Sequence, residues 1–96
     1  MRLSPRLQKL FVSTSRNLFG ESNIYLFGSR TDDSKKGGDF DIAIEYPESA
    51  DEFKKLKIKF ITSIIQQGYD IKIDLVQLDS SNSLINSEIR ETGILL

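Results

Sequence analysis

Cysteine, histidine and tryptophan are absent from the 96-residue chain. Without cysteine, the chain can form neither a disulfide framework nor a thiolate metal site. Without histidine, it lacks the most common general base and zinc ligand, and every Ser-His-Asp mechanism is excluded. Any catalysis must therefore rely on carboxylates, hydroxyls, backbone amides, lysine or arginine, assisted by a hard metal ion.

A strong excess of charge and a long apolar run are also missing. Thirteen basic residues oppose fourteen acidic ones, for a net charge of -1, so we expect no general affinity for nucleic acid or acidic membranes. No segment approaches the roughly 20 apolar residues of a membrane span, and the N-terminus lacks the apolar core of a signal peptide. We expect a cytoplasmic protein with one domain, residues 1–96.

Apolar spacing and end signals predict three helices and three strands. The helices are predicted from Ser4 to Gly20, from Ser49 to Gly68, and from the segment 80–82 to Gly93. The strands are predicted over residues 23–27, Asp39–Tyr46 and Tyr69–Leu78. In the last helix, Leu84, Ile85 and Ile89 are predicted to face the core. The order α-β-β-α-β-α favours a two-layer α/β fold with a small mixed sheet.

The connections between the strands predict where their ends meet. The second and third strands are joined through a helix and should be parallel, whereas the first and second are joined by a loop and should be antiparallel. The end of the first strand then lies beside the starts of the other two. Gly28, Ser29 and three aspartates are therefore predicted to meet at one edge of the sheet: Asp39, Asp41 and Asp74.

Three aspartates at this edge have the chemistry of a metal site. Asp39 and Asp41 are two residues apart on a strand, so both side chains leave the same face. Carboxylates that close repel each other unless a cation lies between them, and their oxygens suit Mg²⁺ or Mn²⁺. Asp74 could complete a two-metal site, in which ions about 3.5–4 Å apart promote in-line phosphoryl displacement.

The segment after the first strand could hold phosphates. Gly28 lets the backbone approach a ligand closely, and Ser29 adds a hydroxyl and an N–H group. Arg30 could grip a phosphate with two hydrogen bonds. Each feature alone is better explained by a plain turn, a surface acid or a solvated loop, but together they fit one spatial plan.

The order and spacing of these residues resemble a known signature. Leu26–Arg30, followed by Asp39–Ile42 after the loop, is similar to the motif of the polymerase-beta-like nucleotidyltransferase superfamily. Ile73–Val76 resembles the strand that carries the third carboxylate of that family. The short chain resembles the minimal nucleotidyltransferase branch, in which this domain stands alone.

The resemblance implies a fold, a reaction and a partner. The fold would be the two-layer nucleotidyltransferase fold, with a nucleoside triphosphate and Mg²⁺ or Mn²⁺ as substrate and cofactor. Gly28 and Ser29 would contact the triphosphate, and Asp39, Asp41 and Asp74 would hold the metals. Minimal members paired with a helical HEPN protein act as antitoxins that transfer AMP from ATP to a tyrosine of the toxin. We therefore expect a protein adenylyltransferase in complex with a HEPN-family partner.

Two other functions stay open. A non-catalytic module that neutralises its partner by sequestration is suggested by the short chain, which leaves little room for a separate acceptor-binding domain. It predicts a complex that is indifferent to Asp39 and Asp41. Nucleic-acid binding is the weaker alternative, because the chain carries no basic excess. Without histidine, the proton of the attacking hydroxyl would pass to Asp74 or to a metal-bound hydroxide.

Overall fold

The computed structural model of the chain describes residues 3–28, 39–78 and 84–96. The backbone of Asp39, Leu84 and Ile85 is included, but their side chains are not. Within these segments, no helix is both long enough and apolar enough to cross a membrane.

Three helices and four strands make up the described chain. In chain order they are α1 (Pro5–Phe19), β1 (Ile24–Phe27), β2 (Asp39–Glu45), α2 (Ala50–Gln66), β3 (Lys72–Leu78), α3 (Leu84–Thr92) and β4 (Ile94–Leu95). The predicted α/β fold class with a mixed sheet is confirmed. β4 was not predicted, because two residues are too short to show an alternating pattern.

The four strands form one sheet in the order β3-β2-β1-β4. β1 pairs with β2 and β4 in antiparallel fashion, whereas β2 and β3 are parallel. Both predicted pairings are therefore confirmed. β3 begins at Lys72, three residues later than predicted. Lys72 pairs with Asp39, so the two parallel strands start at the same level of the sheet.

Serine caps begin the first two helices where the sequence predicts them. The Ser4 hydroxyl accepts a hydrogen bond of 3.2 Å from the backbone N–H of Leu7. The Ser49 hydroxyl accepts one of 3.2 Å from the backbone N–H of Glu52. Each bond satisfies a donor that the first helical turn leaves unpaired.

The main core lies between one face of the sheet and helices α1 and α2. Phe11 of α1 and Phe60 of α2 are fully buried. The ring of Phe11 packs edge to face against that of Phe40 in β2, with 5.6 Å between the ring centroids. The other sheet residues of this core are aliphatic: Ile24, Leu26, Ile42, Ile44, Ile73 and Leu75. Because these side chains fill one face, the alternate residues of the strands must point to the opposite face.

Helix α3 covers part of that opposite face. Its Ile89 is buried against Ala43 and Leu78, and this confirms the predicted inward position of Ile89. The predicted inward positions of Leu84 and Ile85 lie outside the described side chains. The cover is incomplete, since Asp41 remains half-buried and Asp74 exposed on this face.

Candidate active site

Three strands place Phe27, Asp41 and Asp74 side by side. Phe27 of β1 is the register partner of Asp41 in β2, and Asp41 is the register partner of Asp74 in β3. Neighbouring strands lie about 4.8 Å apart, and paired residues point to the same face. The two aspartates, 33 positions apart in the chain, are therefore direct neighbours on the sheet.

Gly28, immediately after β1, lies against the side chain of Asp41. Its φ of +74° is in the left-handed region, which favours glycine. A Cβ atom added at this position would overlap Oδ2 of Asp41 and lie 2.9 Å from its Cγ. The sequence predicts that Gly28 lets the backbone approach a phosphate closely, and the structure adds a second reason for glycine: the Asp41 carboxylate takes up the space of a side chain.

The donor set at this edge fits a hard divalent cation. Asp41 and Asp74 present carboxylates from adjacent positions, and such a pair repels itself unless a cation lies between the two groups. Carboxylate oxygens are the protein ligands that Mg²⁺ and Mn²⁺ prefer. Asp41 and Asp74 could therefore hold such an ion, with coordination positions left for other oxygen ligands.

The remaining predicted site residues are placed less completely. Asp39 lies two positions before Asp41 on β2, at the start of the same strand, but its side chain is not described. Ser29 and Arg30 lie outside the described residues. Among the side chains that the structure describes, no three acidic groups come together as a metal-ligating set.

Two neighbours of the aspartates were not predicted as site residues. Lys72, exposed on β3, is the register partner of Asp39 and brings a positive charge to the acidic edge. Phe27 is half-buried beside Asp41 and gives this face an apolar wall. The strand alternation that singles out Asp74 also places Lys72 on the same face, so this signal was present in the sequence.

A second polar cluster lies at the other end of β2. Glu45 Oε1 accepts hydrogen bonds from the Tyr25 hydroxyl at 3.3 Å and from Nε of Arg90 at 3.2 Å. Its Oε2 accepts one of 3.1 Å from Nδ2 of Asn23. Burial, followed by the charge of Glu45 and its hydrogen bond, raises the pKa of Tyr25 above its ordinary value. Through these hydrogen bonds to Glu45, the cluster connects α3 to β1 and β2.

An open groove of about 450 Å³ adjoins this cluster, between Glu45, Arg90 and Tyr46. Glu45 lies four residues beyond Asp41, which is about 13 Å along a strand. The groove is therefore separate from the aspartates. Arg90 and Glu45 line the groove and form an ion pair with each other, so their charges offset one another.

The sequence of the chain matches a known protein family. Residues 13–96 match the family model described as "Polymerase beta, Nucleotidyltransferase". No curated protein sequence matches the chain.

Solved structures with a similar fold include two toxin–antitoxin complexes. A mutant of the toxin–antitoxin MntA-HpeT is 23% identical, with a TM-score of 0.66 over 93% of this chain and 69% of that one. A toxin–antitoxin structure with AMP-PNP is 22% identical, with a TM-score of 0.69 over 92% of this chain and 70% of that one. At these identities the likeness establishes the fold.

Proposed function

Because the chain belongs to the polymerase beta nucleotidyltransferase family, we propose that it transfers AMP from ATP to a hydroxyl group of a partner protein. The observation that carries the proposal is the adjacent pair Asp41 and Asp74, with Gly28 packed against Asp41. The partner would be a helical HEPN-family toxin, and this chain its antitoxin. A cytoplasmic location, where ATP and Mg²⁺ are plentiful, belongs to the same proposal.

The reaction is an in-line displacement at the α-phosphorus of ATP. The partner's hydroxyl oxygen forms a bond to this phosphorus, the bond to the β-phosphate oxygen breaks, and pyrophosphate leaves. The hydroxyl proton passes to a carboxylate of the site. Asp74 suits this role because it is exposed, whereas Asp41 is half-buried.

Each predicted site residue has a role in this scheme. Asp39, Asp41 and Asp74 would hold Mg²⁺ or Mn²⁺, which when bound offsets the negative charge that develops on the phosphates. Gly28, Ser29 and Arg30 would hold the triphosphate, through close backbone approach, a hydroxyl and a guanidinium group. The positive charge of Lys72 lies beside this set and is compatible with a polyphosphate.

The choice of partner is supported by the structural neighbours. Both are toxin–antitoxin structures, and one of them is described with AMP-PNP. Family membership supports nucleotidyl transfer in general, and the toxin–antitoxin neighbours favour a protein as the acceptor.

Label transfer tests the proposal directly. The protein is mixed with Mg²⁺, ATP labelled at the α-phosphate, and the protein encoded beside it. We expect label on the partner. The rate of transfer should fall by roughly 100-fold or more in Asp41→Asn and in Asp74→Asn, because each substitution removes a carboxylate that holds the metal ion, and the metal ion offsets the negative charge of the phosphates. Asp70→Asn, an exposed aspartate before β3, is the matched control and should transfer normally.

Two outcomes contradict the proposal. One is the absence of label transfer with either Mg²⁺ or Mn²⁺, and the other is undiminished transfer by Asp41→Asn. If transfer is absent but the two proteins form a tight complex, the result supports the alternative, neutralisation of the partner by sequestration.

A further inference from the structure

Helix α2 exposes two large apolar side chains that the fold does not use. Its core residues Phe53, Phe60 and Ile64 are buried against the sheet and α1. Ile58 and Ile65 lie elsewhere on the helix, with 62% and 56% of their surface exposed. These two residues thus contribute little to the core.

Ile58, half-buried Ile61 and Ile65 form one row, which we term the isoleucine stripe. Spacings of three and four residues place all three on one side of the helix, and seven residues span about 10 Å. Isoleucine has a lower helix propensity than lysine or glutamate, so exposed isoleucine favours neither the helix nor solubility. Contiguous exposed apolar surface, in contrast to single scattered residues, marks contact sites.

Positive charge borders the stripe. After its first turn, α2 carries four lysines and no acidic residue: Lys54, Lys55, Lys57 and Lys59. Its two acids, Asp51 and Glu52, lie in the first turn, where the helix dipole favours negative charge. Lys54 precedes Ile58 by four residues and so lies on the same side of the helix.

We propose that the isoleucine stripe and its lysines dock a protein partner through an apolar patch bordered by aspartate and glutamate side chains. The inference rests on the proposed function in one respect, since the partner is the protein that accepts the nucleotide. The lysines complement acidic groups at the rim of the contact, and the isoleucines fill its dry centre.

A protein fits this surface better than a nucleic acid does. Phosphate backbones are held by cations and hydrogen-bond donors, and a row of isoleucines offers them nothing. An apolar centre with a charged rim is the usual anatomy of a protein–protein contact.

The position of the stripe separates docking from chemistry. α2 packs on the face of the sheet opposite to Asp41 and Asp74. A partner held by α2 therefore leaves the carboxylates accessible to nucleotide, and the segment of the partner that carries the acceptor hydroxyl must extend past the edge of the sheet to reach them. Docking should persist when the aspartates are replaced, and ATP binding should persist when the stripe is replaced.

Calorimetric titration with the protein encoded beside this one tests the inference. We expect the double variant Ile58→Ser/Ile65→Ser to bind that protein at least tenfold more weakly than wild type does. Leu95→Ser is the matched control, because Leu95 of β4 is 58% exposed and apolar but lies elsewhere in the fold. It should bind within twofold of wild type. Thermal unfolding by circular dichroism should show all three proteins folded.

Charge reversal and ATP binding complete the test. Lys54→Glu/Lys57→Glu, which changes the lysines that lie four residues before Ile58 and Ile61, should also weaken docking at least tenfold, whereas Asp41→Asn should dock normally. Normal docking by the isoleucine variant, or failure of the wild type to bind, overturns the inference. If binding is weakened in the lysine variant but not in the isoleucine variant, as expected for a surface that binds nucleic acid, the inference is overturned as well. Mg²⁺–ATP binding, measured without partner, tests the proposed function separately and should be equal in wild type and the isoleucine variant.

Discussion

The Oδ2 atom of Asp41 occupies the space that a Cβ atom at position 28 would need. The backbone of Gly28 and the carboxylate of Asp41 are thereby held in direct contact where β1 ends. Close backbone approach at this point suits a ligand that carries phosphates, and the carboxylate suits its metal ion. One contact thus links the two halves of the proposed site.

Replacement of Gly28 by alanine should damage both stability and nucleotide binding. The positive φ alone costs about 1–2 kcal/mol for a residue with a side chain, and the clash with Asp41 displaces the carboxylate. Gly68→Ala is the matched control, since Gly68 has a φ of +94° but open space around an added Cβ. Denaturant unfolding should show Gly28→Ala as the less stable variant. Calorimetry should show loss of Mg²⁺–ATP binding for it alone, and equal effects of the two substitutions would contradict the role given to the contact.

Replacement of Asp74 by asparagine should stabilise the metal-free protein. Like charges at opposite positions of neighbouring strands are destabilising, by about 0.2–1 kcal/mol, and Asp74 faces Asp41 in register. Added Mg²⁺ should raise the melting temperature of the wild type and leave that of Asp74→Asn unchanged. Asp70→Asn should respond to Mg²⁺ as the wild type does. If the melting temperature of the wild-type protein does not change when Mg²⁺ is added, this result would contradict a metal ion held by Asp41 and Asp74.

Tyr25 should ionise at a higher pH than a free tyrosine. Burial, then the charge of Glu45, raises its pKa above the ordinary value of about 10. Because the folded pKa is raised, the associated stability is present below pH 10 and is lost as the pH rises through the folded value. In a protein with Tyr46→Phe and Tyr69→Phe, ultraviolet titration should report Tyr25 alone, and Glu45→Gln should lower its pKa. A Tyr25 pKa at or below the ordinary value would contradict both the burial of this side chain and its interaction with Glu45.

Local signals in the sequence sufficed for much of the fold. Ser4 and Ser49 predict helix starts because a capping hydroxyl acts within three residues. The alternation of β2 and β3 predicts which side chains share a face, and the helix between them predicts the parallel pairing that joins Asp41 to Asp74. These features depend on neighbours in the chain or on the direction of a connection.

Features that depend on distant pairing were missed. β4 is two residues long and exists because its backbone pairs with β1. The bond between Arg90 and Glu45 joins positions 45 residues apart and has no local signature. The sequence places Gly28 and Asp41 at the same edge of the sheet, but their direct contact depends on the register of β1 against β2, which a glycine after a strand does not specify.

Calorimetric titration of ATP, with and without Mg²⁺, is the most direct measurement of the proposed site. We expect the wild-type protein to bind ATP with Mg²⁺ and to lose most of this binding when the metal is chelated. Asp41→Asn should bind weakly in both conditions, because it removes the carboxylate that lies against Gly28 and beside Asp74. Asp70→Asn should behave as the wild type. ATP binding that is equally strong in wild type and Asp41→Asn, with or without Mg²⁺, would contradict a nucleotide–metal site at these residues.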